Sequence, residues 1–196
     1  LNELLDFLKT NKIYCLTIVP NIKFQNQFFK FDYLNFKLPF SVWGTISIKL
    51  NDINSIYKNL RPNWRRSLKK SLRNIKVNEV FDEQEVDKII DEYFNSAIRK
   101  NFKPLAIEKL KKWRFLLINK INSFPLLRVY KTFLPEDPKN IIGAIGVASY
   151  KNTSEYLFGY STYLGRKYHS NTLLLWHSLN QSFLRGEVEF DLGGFS

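Results

Sequence analysis

Apolar positions recur along this chain with two periods, and the switches between them divide it into elements. Leu4, Leu5 and Leu8 share a helical face within residues 2–11, and the apolar run 13–19 after it reads as a strand stopped by Pro20. Residues 22–31 form a second helical segment, 35–41 are loop-like around Pro39, and 45–50 alternate as a strand. Asp52 or Asn54 can cap a short helix that reaches Asn59. Pro62 suits the first turn of the next helix, 62–74, where its missing N–H is unpaired in any case. Trp64, Leu68 and Leu72 fall at i, i+4 and i+8 and predict its buried face. A strand at 76–81 precedes two longer helices. Val86, Ile89, Ile90, Tyr93, Ala97 and Ile98 mark 83–99, and Leu110, Trp113, Leu117 and Ile118 mark 105–120.

The pattern then becomes one of strands. Segments 126–133, 141–150 and 155–161 are joined by turn-rich loops and predict an antiparallel meander. A basic loop, 163–169, leads to a helix capped by Ser170 or Asn171, with Leu173, Trp176, Leu179 and Phe183 inward and Gly186 as its stop. Residues 187–192 are a last strand that closes on Gly193-Gly194. From residue 76 the order is β, α, α, β, β, β, α, β, an α+β arrangement whose last strand should lie parallel to its predecessor.

Composition narrows the chemistry. The 196 residues are 44% hydrophobic and 16% aromatic, which excludes disorder as the main state. No run of about 20 apolar residues is present, so no transmembrane segment is expected, and residues 1–10 carry Glu3 and Asp6 instead of a secretion signal. A cytoplasmic location follows as the expectation. One cysteine, Cys15, excludes an internal disulfide and reads as a core residue. With only His169 and His177 beside it, no metal site is expected.

The formal charge is +12, a field that draws anions. It is local. Arg61, Arg65, Arg66, Lys69, Lys70, Arg73 and Lys76 fall within 61–78 with no acid among them, a second basic stretch spans 103–139, and Arg166 and Lys167 form a small cluster. Residues 141–196, that cluster included, are balanced, four bases against four acids. Arg binds phosphate bidentately and Lys as a point charge. Arg65, Arg66, Lys69 and Lys70 are therefore candidate handles for a diphosphate or a tRNA backbone, with Arg166, Lys167 and His169 as a second anion contact at a helix start. A charge run is as often a plain solvated face.

The ordered combination Trp64-Arg65-Arg66-Ser67-Leu68-Lys69-Lys70, then Tyr156-Leu157-Phe158-Gly159-Tyr160-Ser161, Gly165-Arg166-Lys167, Asn171 to Trp176 and Phe190-Asp191-Leu192-Gly193-Gly194 resembles the Fem-type aminoacyltransferases and related FemAB-like N-acyltransferases of the wider GNAT fold. The resemblance implies a GNAT-like second domain over 61–196, missing strands at its end, and the tail of a first such domain over 1–60. It implies transfer of an aminoacyl or acyl group to an amine of a cell-envelope precursor, a peptidoglycan peptide or a nucleotide-linked sugar. Aminoacyl-tRNA or acyl-CoA would be the co-substrate, with no bound cofactor and no DNA partner. Peripheral membrane contact and the oligomeric state stay open. The segment 164–171 has Gly165 as its sole glycine, which argues against the pyrophosphate loop of an ordinary acetyl-CoA site.

Such a fold parts two adjacent parallel strands, here expected at 155–161 and 187–192, so that backbone N–H groups between them polarise the acyl carbonyl. Asp191 would orient the amine or act as general base, and Tyr156 and Tyr160 would contact substrate by their hydroxyls. Gly193 and Gly194 would permit close backbone approach. A strand-ending acid, packing aromatics and a plain turn explain the same residues without chemistry. The competing functional class is a non-enzymatic RNA-binding or anionic-surface module built on the basic helix 61–76.

Overall fold

The computed structural model describes residues 44–105, 107–108, 110–111 and 126–195. The chain divides into two units, Leu1–Phe40 and Ser41–Ser196, and every described residue belongs to the second. The elements expected before residue 42, with Cys15, lie outside the described residues, as does most of the helix expected at 105–120; residues 107, 108, 110 and 111 of it are helical.

In chain order the elements are β1 (Gly44–Lys49), α1 (Ile53–Asn59), α2 (Pro62–Asn74), β2 (Lys76–Val80), α3 (Glu83–Arg99), β3 (Leu126–Phe133), β4 (Gly143–Tyr150), β5 (Thr153–Ser161), α4 (Tyr163–Lys167), α5 (Ser170–Leu184) and β6 (Glu189–Phe195). Local chemistry sets several boundaries. The Asp52 carboxylate accepts the Asn54 N–H at 2.9 Å to start α1, and Asp82 accepts the Glu85 N–H at 2.8 Å to start α3. The expected basic loop after β5 is instead the short helix α4, because the Thr162 hydroxyl accepts the Gly165 N–H at 3.1 Å and nucleates a turn. Helix α5 begins on His169 in the left-handed conformation, φ 57°, without a side-chain cap. Ser170, expected as a cap, instead shares a buried 2.6 Å hydrogen bond with Thr132 of β3.

The strands of the described residues join one sheet in the order β1-β6-β5-β4-β3-β2. Every neighbouring pair is antiparallel except β5 and β6, which are parallel as expected. Strand β1 pairs with β6 across the sheet edge, so the expected domain boundary at residue 60 falls inside this unit.

Helices cover both faces. On one, Val86, Ile89, Ile90 and Tyr93 of α3 pack with Leu110 onto Val129, Ala144, Phe158 and Tyr160. On the other, Leu174 and Leu179 of α5 pack onto Tyr130, Ile145, Val147 and Phe190, with Ile53 and Ile56 of α1 at the margin. Helix α2 joins α5 through Leu68, Ile75 and Leu173. Two expected core positions are corrected here. Leu72 is 54% exposed because the face that meets α5 runs Trp64, Leu68, Ser71 and Ile75, an i, i+4, i+7, i+11 series that follows 3.6 residues per turn better than i+8. Ile98 is exposed by the same drift, and Ala97 takes the inward position.

Candidate functional site

The site grows out of how β5 and β6 pair. Their parallel ladder holds only Thr153↔Glu189, Ser154↔Phe190 and Glu155↔Asp191, and beyond that rung no pairing joins them. Each strand carries an extra residue just past the last rung. In β5, Leu157 is unmatched between Gly146↔Phe158 and Val147↔Tyr156. In β6, two residues, Leu192 and Gly193, face the single Ile46 of β1. A bulge bends its strand and raises its twist, so two bulges at the same level turn the pair into a wedge. Gly193 has φ +86°, and a Cβ there would stand 3.1 Å from the Tyr156 carbonyl oxygen, so this position needs glycine on both counts.

The bulge also re-aims side chains. Tyr156 and Tyr160 would share a face of a regular strand. Instead Tyr156 packs on the α5 side with Val147, Leu192 and Trp176, while Phe158 and Tyr160 enter the core beneath α3. Burial pushes the Tyr156 hydroxyl up to about 12, with Tyr93 adding to it. Tyr160 is 3% exposed, and burial, then Glu92 and Glu85, raise it as well. Both phenols stay protonated at neutral pH. Asp191 lies on the last rung, and one of its oxygens accepts the Gly193 N–H at 2.8 Å, which holds the bend. Its ladder partner Glu155 titrates above the usual carboxylate range through burial and then the Asp191 charge. Five residues of strand, about 16 Å at 3.3 Å each, separate the Glu155–Asp191 level from Tyr160, so Asp191 and Tyr160 are not brought together.

Cations gather beside the end of the sheet at which β5 finishes. Asn63, Arg66, Ser67 and Lys70 of α2 line a groove of about 400 Å³ with His169, the residue from which α5 begins. Arg66 and Lys70 are one turn apart and share a helical face. Ser170 packs against Gly143, where a Cβ would collide with its hydroxyl, and Gly143 pairs with Ser161, so the groove lies at the end of the sheet where β5 finishes. Other candidates go elsewhere. Arg65 donates to the Lys58 carbonyl at 3.3 Å and ties α2 to α1, Lys69 is exposed outside the groove, Arg166 donates to the Ser161 carbonyl at 3.0 Å, and Lys167 sits 5.7 Å over the Tyr168 ring. Gly165 is a packing position, since a Cβ there would run into the Ile142 carbonyl. Gly194 pairs with Thr45 of β1.

One cluster escaped the sequence reading. Arg128 of β3, 8% exposed, donates to Ser149 at 2.7 Å and to Glu187 at 3.1 Å. Glu187, 5% exposed, accepts from Ser154, which also lies 3.0 Å from Ser149 and 2.9 Å from Ser182 of α5. Arg185 reaches the Tyr130 hydroxyl at 3.0 Å, and Tyr130 stacks edge-on with His177 at 5.0 Å. Burial pushes Glu187 up, but hydrogen bonds from Ser154, Ser182 and Arg128 and the Arg128 charge outweigh it and hold the carboxylate below its usual range. Burial lowers His177 from its ordinary value, and Arg185 adds to that. Arg128, Ser149, Ser154, Ser182 and Glu187 come from β3, β4, β5, α5 and the turn before β6, so the cluster leaves no local signal beyond Arg and Glu flanking Gly186.

Among the described residues no group of His, Cys, Asp or Glu could hold a metal ion, and no helix is long and apolar enough to cross a membrane.

A mixed sheet with one parted parallel pair, helices on both faces and an α+β order define a GNAT-like fold. Comparison with solved structures agrees. The chain matches the crystal structure of FemX with a TM-score of 0.64 at 10% identity, over 77% of this chain and 52% of that one. It therefore has the Fem-like fold that its motifs resemble, and it spans about half the length of FemX. It also matches the C-terminal domain assigned to a lysylphosphatidylglycerol synthetase from Agrobacterium fabrum, with a TM-score of 0.49 at 13% identity, over 76% of this chain and 48% of that one. No protein-family model matches the chain, and no curated protein matches it.

Proposed function

We propose that this chain is part of an N-acyltransferase that passes an aminoacyl or acyl group to an amine on an anionic, phosphorylated cell-envelope precursor. The observation that carries the reading is the wedge between β5 and β6 together with a cationic groove at the end of the sheet toward which β5 runs, in a fold shared with FemX. From the last rung at Glu155 to Ser161 is about 20 Å of strand. A substrate laid along it could rest its phosphates on Arg66, Lys70 and His169 while its reactive end reaches the level of Asp191.

In this reading the amine lone pair attacks the acyl carbonyl carbon and a C–N bond forms. The C–O bond of an ester donor, or the C–S bond of a thioester, breaks, and the amine proton goes to the departing oxygen or sulfur. Strand N–H groups of β5 that lack a β6 partner can stabilise the oxyanion. The Asp191 oxygen not held by Gly193 can orient the amine. Tyr160, buried and protonated, serves the core, and the chemistry is assigned to the backbone and Asp191. The scarcity of glycine at 162–171 favours aminoacyl-tRNA over acyl-CoA as donor, and a nucleotide-linked sugar or peptidoglycan peptide as acceptor suits the cationic groove.

The test is a transfer assay on the full-length protein with aminoacyl-tRNA and acyl-CoA offered separately against nucleotide-sugar and peptide amines. Transfer from either donor supports the reading, and none from both sinks it. A second reading, a non-catalytic RNA-binding or anionic-surface module, draws on Lys69 and Arg73, which are exposed on α2 outside the groove. It expects salt-sensitive RNA binding that survives Asp191→Asn in a protein without transfer activity.

A further inference from the structure

The wedge has a closed end, and its chemistry differs from the rest of the sheet. Ser154 occupies the middle rung of the short parallel ladder, and Glu187 lies two residues before β6 begins. The Ser154 hydroxyl bonds the Glu187 carboxylate, and Arg128, Ser149 and Ser182 complete the shell from β3, β4 and α5. Backbone bonds brace the same point, since the Val188 N–H donates to the Asn152 carbonyl at 2.7 Å and the Leu50 N–H to Val188 at 2.9 Å. The start of β6 is thus held from both neighbouring strands and from the helix behind it. Two residues past the middle rung both strands are bulged, and no ladder pairing joins them beyond Glu155↔Asp191.

We infer that the Arg128–Glu187–Ser154 cluster is a positioning device for the transfer reaction: it clamps β6 to β5 at one rung so that the wedge opens beyond it at a fixed angle. This rests on the N-acyltransferase reading for its effect on rate, though not for its effect on structure. The reason a charge pair suits the task is directional. Apolar packing at this point would leave β6 free to slide or rotate against β5, whereas each oxygen of Glu187 has its own donor, Arg128 on one and Ser154 on the other. An error of about 1 Å in the placement of reacting groups costs on the order of a hundredfold in rate. Asp191 sits one rung from Ser154 and inherits any looseness there.

The variant that separates positioning from folding is the double replacement Arg128→Met with Glu187→Leu, because apolar substitution of a buried ion pair is commonly neutral or stabilising. Amide hydrogen exchange is followed on the full-length protein together with its thermal midpoint. The expected result is a midpoint near wild type and exchange at least about tenfold faster confined to 156–161 and 191–195. Unchanged exchange in those segments, or acceleration spread evenly over the sheet, overturns the inference. In the transfer assay the same variant should lose at least about tenfold in kcat, with KM for the phosphorylated acceptor within about twofold, because the groove at Arg66, Lys70 and His169 is untouched. Equal effects on both constants, or none, count against positioning. If the wild-type protein transfers nothing, the acyltransferase reading fails and the exchange result alone decides the clamp.

Discussion

The two ends of the β5–β6 pair solve opposite problems with the same kinds of residue. At the closed end, charged and hydroxyl groups are buried and every one is matched: Arg128 to Ser149 and Glu187, Ser154 to Glu187 and Ser182. At the open end, Arg66 and Lys70 are exposed and face a groove with no acid in its lining among the described residues. A matched buried charge fixes geometry and gains little by leaving its partner. An unmatched exposed charge adds little to stability and is free to meet a ligand. Charge therefore marks rigidity at one end and recognition at the other, and the contrast can be tested end by end.

The largest effect should come from breaking the closed end on one side only. Arg128→Ala strands the Glu187 carboxylate and is expected to cost about 3–5 kcal/mol in urea unfolding; a loss under about 1 kcal/mol would place the cluster among ordinary surface pairs. Next is the bend itself. Gly193→Ala must adopt a left-handed φ beside the Tyr156 carbonyl, at about 1–3 kcal/mol, and should disturb the exchange of β6 more than that of β3.

The closed end also predicts a pH dependence. Glu187 titrates below its unfolded value near 4.5, so its contribution is complete above that value and is lost as pH falls through the lower folded value. Glu187→Gln should remove that part of the acid sensitivity, measured as a flatter stability curve below pH 4.5. The smallest effect on folding belongs to the open end. Arg66→Glu with Lys70→Glu should change stability by no more than about 0.5 kcal/mol per site, yet weaken calorimetric binding of inorganic pyrophosphate at least about tenfold, more at low salt. Unchanged pyrophosphate binding would remove the groove from the site.

Which features the sequence displayed follows from how local their causes are. Helices α2, α3 and α5 and the meander were legible because apolar periodicity, turn residues and, for α2, Pro62 act within a few positions. The parallel placement of β6 followed from the crossover helix before it. Leu72 misled because a strict i+8 step drifts off a 3.6-residue face, and 163–167 misled because Thr162 was not read as a cap. The bulge at Leu157 has no signature, since apolar and aromatic residues fill both phases of β5, so Tyr156 and Tyr160 read as one face. The basic helix was visible and its partner was not. Arg66 and His169 are about a hundred positions apart in the sequence, and the packing of Leu68 and Ile75 with Leu173 brings their elements together.

The pairing of β1 with β6 carries a further consequence, in time instead of space. Gly44 meets Phe195 and Lys49 meets Glu189, contacts that span most of the chain. Pairings so distant in sequence are slow to form, because a long loop must close before they return any free energy. On a ribosome, β5 would wait with one edge open until β6 emerged, and the wedge could form only then. Unfinished copies would then expose the same strand edge that, in the finished protein, faces the proposed substrate, and an exposed edge invites pairing with other chains.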